Sequence, residues 1–218
     1  MSKNIRADLK ILVIGSSGAG KTSFVQRWTK GEFTDYHKPT IVSEFGFKIY
    51  EYKGKKYRVQ LWDIGGQDKS PSMAKIFARD SHGCLVVSDC SKPETFNDTL
   101  DWKNVMNNES VFIDGKKLPF VLVQNKVDLI EEKEKLDEIE EKTKELSENN
   151  EFVKCFLTSV KENINIQETM NFLIENIVER LEIYAQNGGE VFFDQRRKST
   201  ITLKDTSTLG KDPKNNCC

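Results

Sequence analysis

At 218 residues, with 37% hydrophobic and 31% charged side chains, the chain is long enough to bury one sizeable core plus an appendage. Thirty-three Lys and Arg against 34 Asp and Glu leave a formal charge of −1, which excludes a global basic field for nucleic acid or anionic lipid. Five cysteines (Cys84, Cys90, Cys155, Cys217, Cys218) are odd in number and carry neither a disulfide framework nor zinc-ligand spacing, so a reducing, cytosolic setting without signal peptide or membrane span is expected.

In chain order, an apolar run from Leu9 to Ile14 reads as a strand and leads directly into Gly15-Ser16-Ser17-Gly18-Ala19-Gly20-Lys21-Thr22. This fits G-x-x-x-x-G-K-[ST], whose backbone amides curl around phosphates at the positive end of the following helix. Lys21 then meets the β- and γ-phosphates and Thr22 faces Mg²⁺; a plain glycine-rich turn is the alternative. A helix is expected over Lys21 to Lys30, ended by Gly31, and an irregular loop from Glu32 to Val42, broken by Pro39.

Glu44 to Tyr52 and Lys55 to Asp63 form a predicted hairpin around Lys53-Gly54. Alternation of Phe45, Phe47 and Ile49 with Gly46 and Lys48 suggests that one face is buried. Asp63-Ile64-Gly65-Gly66-Gln67 has the form D-x-x-G-Q: Asp63 is suited to Mg²⁺, the Gly66 amide to a γ-phosphate, and Gln67 to an attacking water. Weak helical character follows from Met73 to Ala78, in a segment expected to be mobile.

Gly83 to Ser88 is a buried strand, Thr95 to Asn107 a helix, and Phe120 to Val123 a strand ending in Gln124-Asn125. Strands alternating with helices at this spacing imply a mostly parallel sheet covered on both faces. Asn125-Lys126-Val127-Asp128 stands at a strand's carboxyl edge, where such sheets bind ligands. A carboxylate at Asp128 can accept two hydrogen bonds from the N1–H and exocyclic amine of guanine, whereas adenine has neither donor and would leave it unpaired. Glu131 to Glu151 reads as a solvated acidic helix rather than a docking patch. Phe152 to Thr158 is the last strand, and Ile166, Met170, Leu173, Ile174, Ile177 and Leu181 form the stripe of a core-facing helix. From Gly188 the composition turns polar, as in a flexible tail.

Together these motifs resemble the Ras-like small GTPases, and specifically the Rab family, over about residues 8 to 187. The resemblance implies a P-loop GTPase fold: an α/β domain over 1–187 with a six-stranded, mostly parallel sheet, one antiparallel strand, and helices on both faces. A hypervariable tail spans 188–218. It further implies that GTP or GDP is held by Ser17, Gly18, Ala19, Gly20, Lys21, Thr22 and Ser23, by Phe33, Thr40 and Gly66, by Asn125, Lys126 and Asp128, and by the base loop Ser159, Val160 and Lys161. Thr22, Thr40 and Asp63 would hold Mg²⁺, and Lys21, Gly66 and Gln67 would serve slow GTP hydrolysis.

Cys217 and Cys218 match the paired cysteines that many Rab proteins carry for geranylgeranylation, and two lipids anchor a protein stably where one does not. Implied partners are effectors, an exchange factor, a GTPase-activating protein, a prenyl-binding chaperone and a membrane, with no nucleic acid and a monomeric state. The expected place is the cytosol and the cytosolic face of an organelle or vesicle. Trp62-Asp63-Ile64 and Glu162-Asn163-Ile164-Asn165-Ile166 resemble the branch associated with lysosome-related organelles. Two other functions remain open from sequence, a nucleotide-sensing scaffold and a P-loop phosphotransferase. Departures from the family pattern carry their own expectations: Ser17 slows hydrolysis, Gly65 loosens the second switch, His37 is an ordinary exposed histidine, and Val160, in place of alanine, hastens nucleotide release.

Overall fold

The computed structural model describes residues 5–35, 40, 43–66 and 71–189. Among these residues six strands and five α-helices follow in order, with a short 3-10 turn at Val127–Leu129 after β5: β1 (Ile5–Gly15), α1 (Lys21–Lys30), β2 (Ser43–Tyr52), β3 (Lys55–Ile64), α2 (Pro71–Ala78), β4 (Gly83–Asp89), α3 (Glu94–Glu109), β5 (Phe120–Asn125), α4 (Lys133–Asn149), β6 (Lys154–Thr158) and α5 (Ile166–Gln186). One six-stranded sheet in the order β2-β3-β1-β4-β5-β6 joins them. Only β2 runs antiparallel to its neighbour; the other pairings are parallel.

Crossovers between parallel strands are right-handed, so the direction of travel along the sheet decides which face each helix covers. The moves from β3 to β4, β4 to β5 and β5 to β6 run one way and place α2, α3 and α4 on one face. Beside β1 the chain travels the other way, placing α1, with α5 against it, on the opposite face. The strand order therefore reverses next to β1, and a crevice opens at the carboxyl ends of the strands there. Strands β4 and β5 are buried along their whole length, as continuous apolar runs covered on both faces should be.

Several local expectations are met. At the β2–β3 turn, Lys53 and Gly54 have φ of 49° and 71°, the two positive values of a type I′ hairpin. Every residue of the α5 stripe from Ile166 to Leu181 is buried. On α4 the fully buried positions are Thr143 and Ser147, as a solvated surface helix requires. The last strand begins at Lys154, two residues later than expected.

Along β2 one face is covered, as the alternation suggests, and it is not the aromatic one. Phe45, Phe47 and Ile49 are 53%, 57% and 44% exposed, so the aromatic side of β2 faces solvent. The covered side carries Gly46, whose missing side chain makes room for Val25 and Thr29 of α1. Lys48 on the same side donates to the Trp28 carbonyl at 3.0 Å and lies over the Trp28 ring. Because β2 is an edge strand with α1 on one side only, the aromatic side is left open. Phe45 meets Trp62 of β3 edge-on at 5.5 Å, and Phe47 lies 6.2 Å from Phe45. The expectations on Gln67, His37, Cys217 and Cys218 lie outside the described residues. Among the described residues no helix is long and apolar enough to cross a membrane.

Candidate functional site

The loop between β1 and α1 contributes the first half of the site. Helix α1 starts directly after Gly20 and has no acidic residue in its first turn, so its positive end stays available to an anion. Lys21 folds back into the loop, and its Nζ donates to the Gly15 and Ser16 carbonyls at 3.0 and 2.9 Å. Burial pulls the pKa of this ammonium below its ordinary value, while nearby Asp63 opposes the shift. A hollow is lined here by Ser17, Gly18, Gly20, Lys21, Thr22, Ser23, Thr40 and Gly66. Gly66 closes over it: a Cβ there would sit 2.6 Å from the Ser17 nitrogen and 2.9 Å from Lys21 Nζ. A side chain at that position would fill the cradle.

Three oxygen-bearing side chains meet beside this hollow. Thr22 Oγ1 donates to Asp63 Oδ2 at 2.5 Å, and the Thr22 and Thr40 hydroxyls are 2.8 Å apart. Thr40 Oγ1 also lies 3.4 Å from Asp63 Oδ2. Asp63 is fully buried, and its Oδ1 has no hydrogen-bond partner. Burial pushes its carboxyl up to about 6, against the opposing effects of the Thr22 hydroxyl and Lys21. A desolvated carboxylate with an unused oxygen beside two hydroxyls is a hard-oxygen donor set, which fits Mg²⁺. Among the described residues no cluster of three or more His, Cys, Asp or Glu would hold a metal. Mg²⁺ here would therefore draw its remaining ligands from phosphate and water, as it commonly does.

The second half of the site is a cavity of about 450 Å³ that runs from Gly18, Gly20 and Ser23 to Asn125, Lys126, Asp128, Val160 and Lys161, with Phe33 on its wall. Asn125 knits its floor together. Its Nδ2 donates to the Ala19 carbonyl at 2.8 Å, and its Oδ1 accepts from Thr158 Oγ1 and the Val160 amide, each at 3.2 Å. Ser159 Oγ donates to Asp128 Oδ1 at 2.5 Å, fixing the carboxylate that faces the cavity. Lys126, held at φ 72°, sends its ammonium to the buried Asp89 carboxylate at 2.7 Å.

Thus Ser17, Gly18, Gly20, Lys21, Thr22, Ser23, Phe33, Thr40, Gly66, Asn125, Lys126, Asp128, Val160 and Lys161 line two adjoining hollows that share Gly18, Gly20 and Ser23 and are taken together as the groove. Ala19, Asp63 and Ser159 bond to its lining. Sequence reasoning missed Thr34, Asp35, Lys92 and Leu129, which also line the cavity. Lys92 was findable, since it follows the buried β4 run at the carboxyl edge where ligands bind. Cys84 and Cys90 are buried, and burial, assisted by the nearby Asp89 and Asp128 carboxylates, pushes the Cys90 thiol up to about 12, which keeps it protonated and unreactive.

With this geometry in place, comparison with known proteins gives one consistent result. The Ras family model matches residues 10–179. Ras-related protein Rab-32 of Sus scrofa is 32% identical over 212 residues, covering 96% of this chain and 88% of the relative. Ras-related protein Rab-32C of Dictyostelium discoideum is 34% identical over 204 residues, 92% of this chain and 87% of its own length. Ras-related protein Rab-7L1 of Homo sapiens is 35% identical over 170 residues, 78% and 82% of the two chains.

Proposed function

This chain belongs to the Rab branch of the Ras family, a GTP-hydrolysing small GTPase of membrane traffic, and from that premise we propose how its residues bind nucleotide and signal. The groove accommodates GTP or GDP with the guanine against Asp128 and the phosphates over Ser17 to Ser23. One observation supports this above all: a carboxylate anchored by Ser159 at one end and a Thr22–Thr40–Asp63 oxygen cluster at the other, joined by a glycine-rich loop.

When bound, Mg²⁺ held through Thr22, Thr40 and Asp63 would supply charge neutralisation on the β- and γ-phosphate oxygens. Lys21, already desolvated in the loop, donates to those oxygens. The Gly66 amide reaches the γ-phosphate because no side chain intervenes, and Gln67 orients the attacking water for in-line displacement. Thr40 lies on the loop after α1 and Gly66 at the exit of β3. Both segments are therefore ordered when a γ-phosphate is present and released after hydrolysis.

Effectors, an exchange factor and an activating protein would read these two segments together with the open aromatic side of β2, Phe45 and Phe47 beside Trp62. The GTPase domain covers 1–187, and 188–218 is a tail ending in geranylgeranyl groups on Cys217 and Cys218. These groups bind a prenyl-binding chaperone in the cytosol or anchor the monomer to an organelle membrane, in the branch serving lysosome-related compartments. Competition of GTP, GDP and ATP for the Mg²⁺-dependent site tests the reading, with the Asp128→Asn variant as comparison. Guanine-only binding, lost in the variant, is expected; ATP binding as tightly as GTP would refute it.

A further inference from the structure

The guanidinium of Arg27, in the last turn of α1, is shared by two separate parts of the chain through all three of its nitrogens. Its Nε donates to the Val160 carbonyl at 2.9 Å and its Nη2 to the Lys161 carbonyl at 2.8 Å, across 133 and 134 positions of sequence. Its Nη1 donates to the Gly31 carbonyl at 3.1 Å, closing the end of the helix. The guanidinium carbon lies 5.5 Å from the centre of the Phe33 ring. A planar fork with fixed donor directions makes such a set of contacts; a single ammonium does not.

Val160 is held from both sides, for its amide is bonded to Asn125 Oδ1 while Arg27 holds its carbonyl. Phe33, Val160 and Lys161 all line the base end of the cavity. We infer that Arg27 is the positioning residue that locks the base-reading loop at Val160–Lys161 to the segment after α1 at Gly31–Phe33, and thereby sets how long guanine nucleotide is retained. This inference rests on reading the cavity as a guanine-nucleotide site. Arg27 lines neither part of the groove, so its action is through the loops. Loss of the fork frees the Val160–Lys161 peptides and the Phe33 ring together, opening the base end while the phosphate loop, held by Lys21 and Asn125, stays formed.

The test compares release of a fluorescent GDP analogue from the wild-type protein with release from Arg27→Met, Arg27→Lys and Lys30→Gln. Lys30 is an exposed neighbour on α1 that lines neither part of the groove. Single-turnover hydrolysis of GTP is measured alongside, with protein in excess so that released nucleotide rebinds. Release at least tenfold faster from both Arg27 variants is expected, with hydrolysis within twofold of wild type and Lys30→Gln unchanged. Restoration of slow release by Arg27→Lys would overturn the inference, because charge and stem would then suffice without the fork. A parallel loss of hydrolysis would also overturn it, as the sign of general loosening. Wild-type guanine selectivity combined with unchanged release from both variants would refute the role of Arg27 alone. Failure of the wild-type protein to prefer GTP over ATP would instead remove the reading beneath it.

Discussion

His82 offers a test of how tightly β4 is locked against β1. It precedes β4, where its backbone amide donates to the Lys10 carbonyl at 2.8 Å and its ring Nδ1 accepts the Lys10 amide at 3.1 Å. The ring stands edge-on to Phe112 at 6.4 Å. Burial pulls the pKa from 6.5 down to about 4, with Asp80 opposing the shift and Lys10 assisting it. A base depressed in this way leaves the unfolded chain holding more protons between pH 4 and 6.5. Its contribution to stability is therefore complete above 6.5 and disappears as pH falls through 4. At about 1.4 kcal/mol per pKa unit, lowering the pH from 7.5 to 4.5 removes roughly 2.5 kcal/mol through this one group.

The perturbation is His82→Asn, whose side-chain oxygen still accepts the Lys10 amide but takes no proton. Urea unfolding at a series of pH values, with saturating GDP and Mg²⁺ for both proteins, gives the difference in stability directly. Wild type should lose about 2.5 kcal/mol more than the variant over this interval, while other titrating groups cancel. Parallel curves, within about 0.5 kcal/mol, would refute the reasoning and place the ring in contact with water.

Gly15→Ala puts a Cβ 1.9 Å from the Val87 carbonyl oxygen at φ 133°, so the β1–β4 pairing must part; a loss of about 3 kcal/mol or more in urea unfolding is expected, and a loss under 1 would contradict it. Val160→Ala trims a side chain only 2% exposed on the lining of the 450 Å³ cavity, and GDP should leave the variant several-fold more slowly; equal dissociation rates dismiss the idea that the extra methyl groups hasten release. Ser17→Gly clears an exposed side chain beside Gly66 at the mouth of the phosphate hollow, so single-turnover hydrolysis should quicken, and an unchanged rate would show that Ser17 is not limiting. Phe47→Ser, on the open side of β2, should move stability by less than about 0.5 kcal/mol yet weaken capture of partners selective for the GTP state; undiminished capture places that surface elsewhere.

Local chemistry is what made much of the site legible. A phosphate loop is contiguous because successive amides must converge on one anion, and Asn125 to Asp128 is contiguous because it turns off the end of one strand. Sequence by itself thus determined the elements, the parallel sheet, and every groove residue that lies within a motif. The hidden parts are those in which partners come from distant positions. Arg27 meets Val160 only after α1 and the loop before α5 are brought side by side, and Asp89 meets Lys126 only because β4 and β5 are neighbours. His82 shows no pattern until it pairs with Lys10. Alternation along β2 revealed that its two sides differ, but the tertiary structure decided which one is covered. Helix α1 lies over Gly46 and Lys48, and nothing among the described residues buries Phe47.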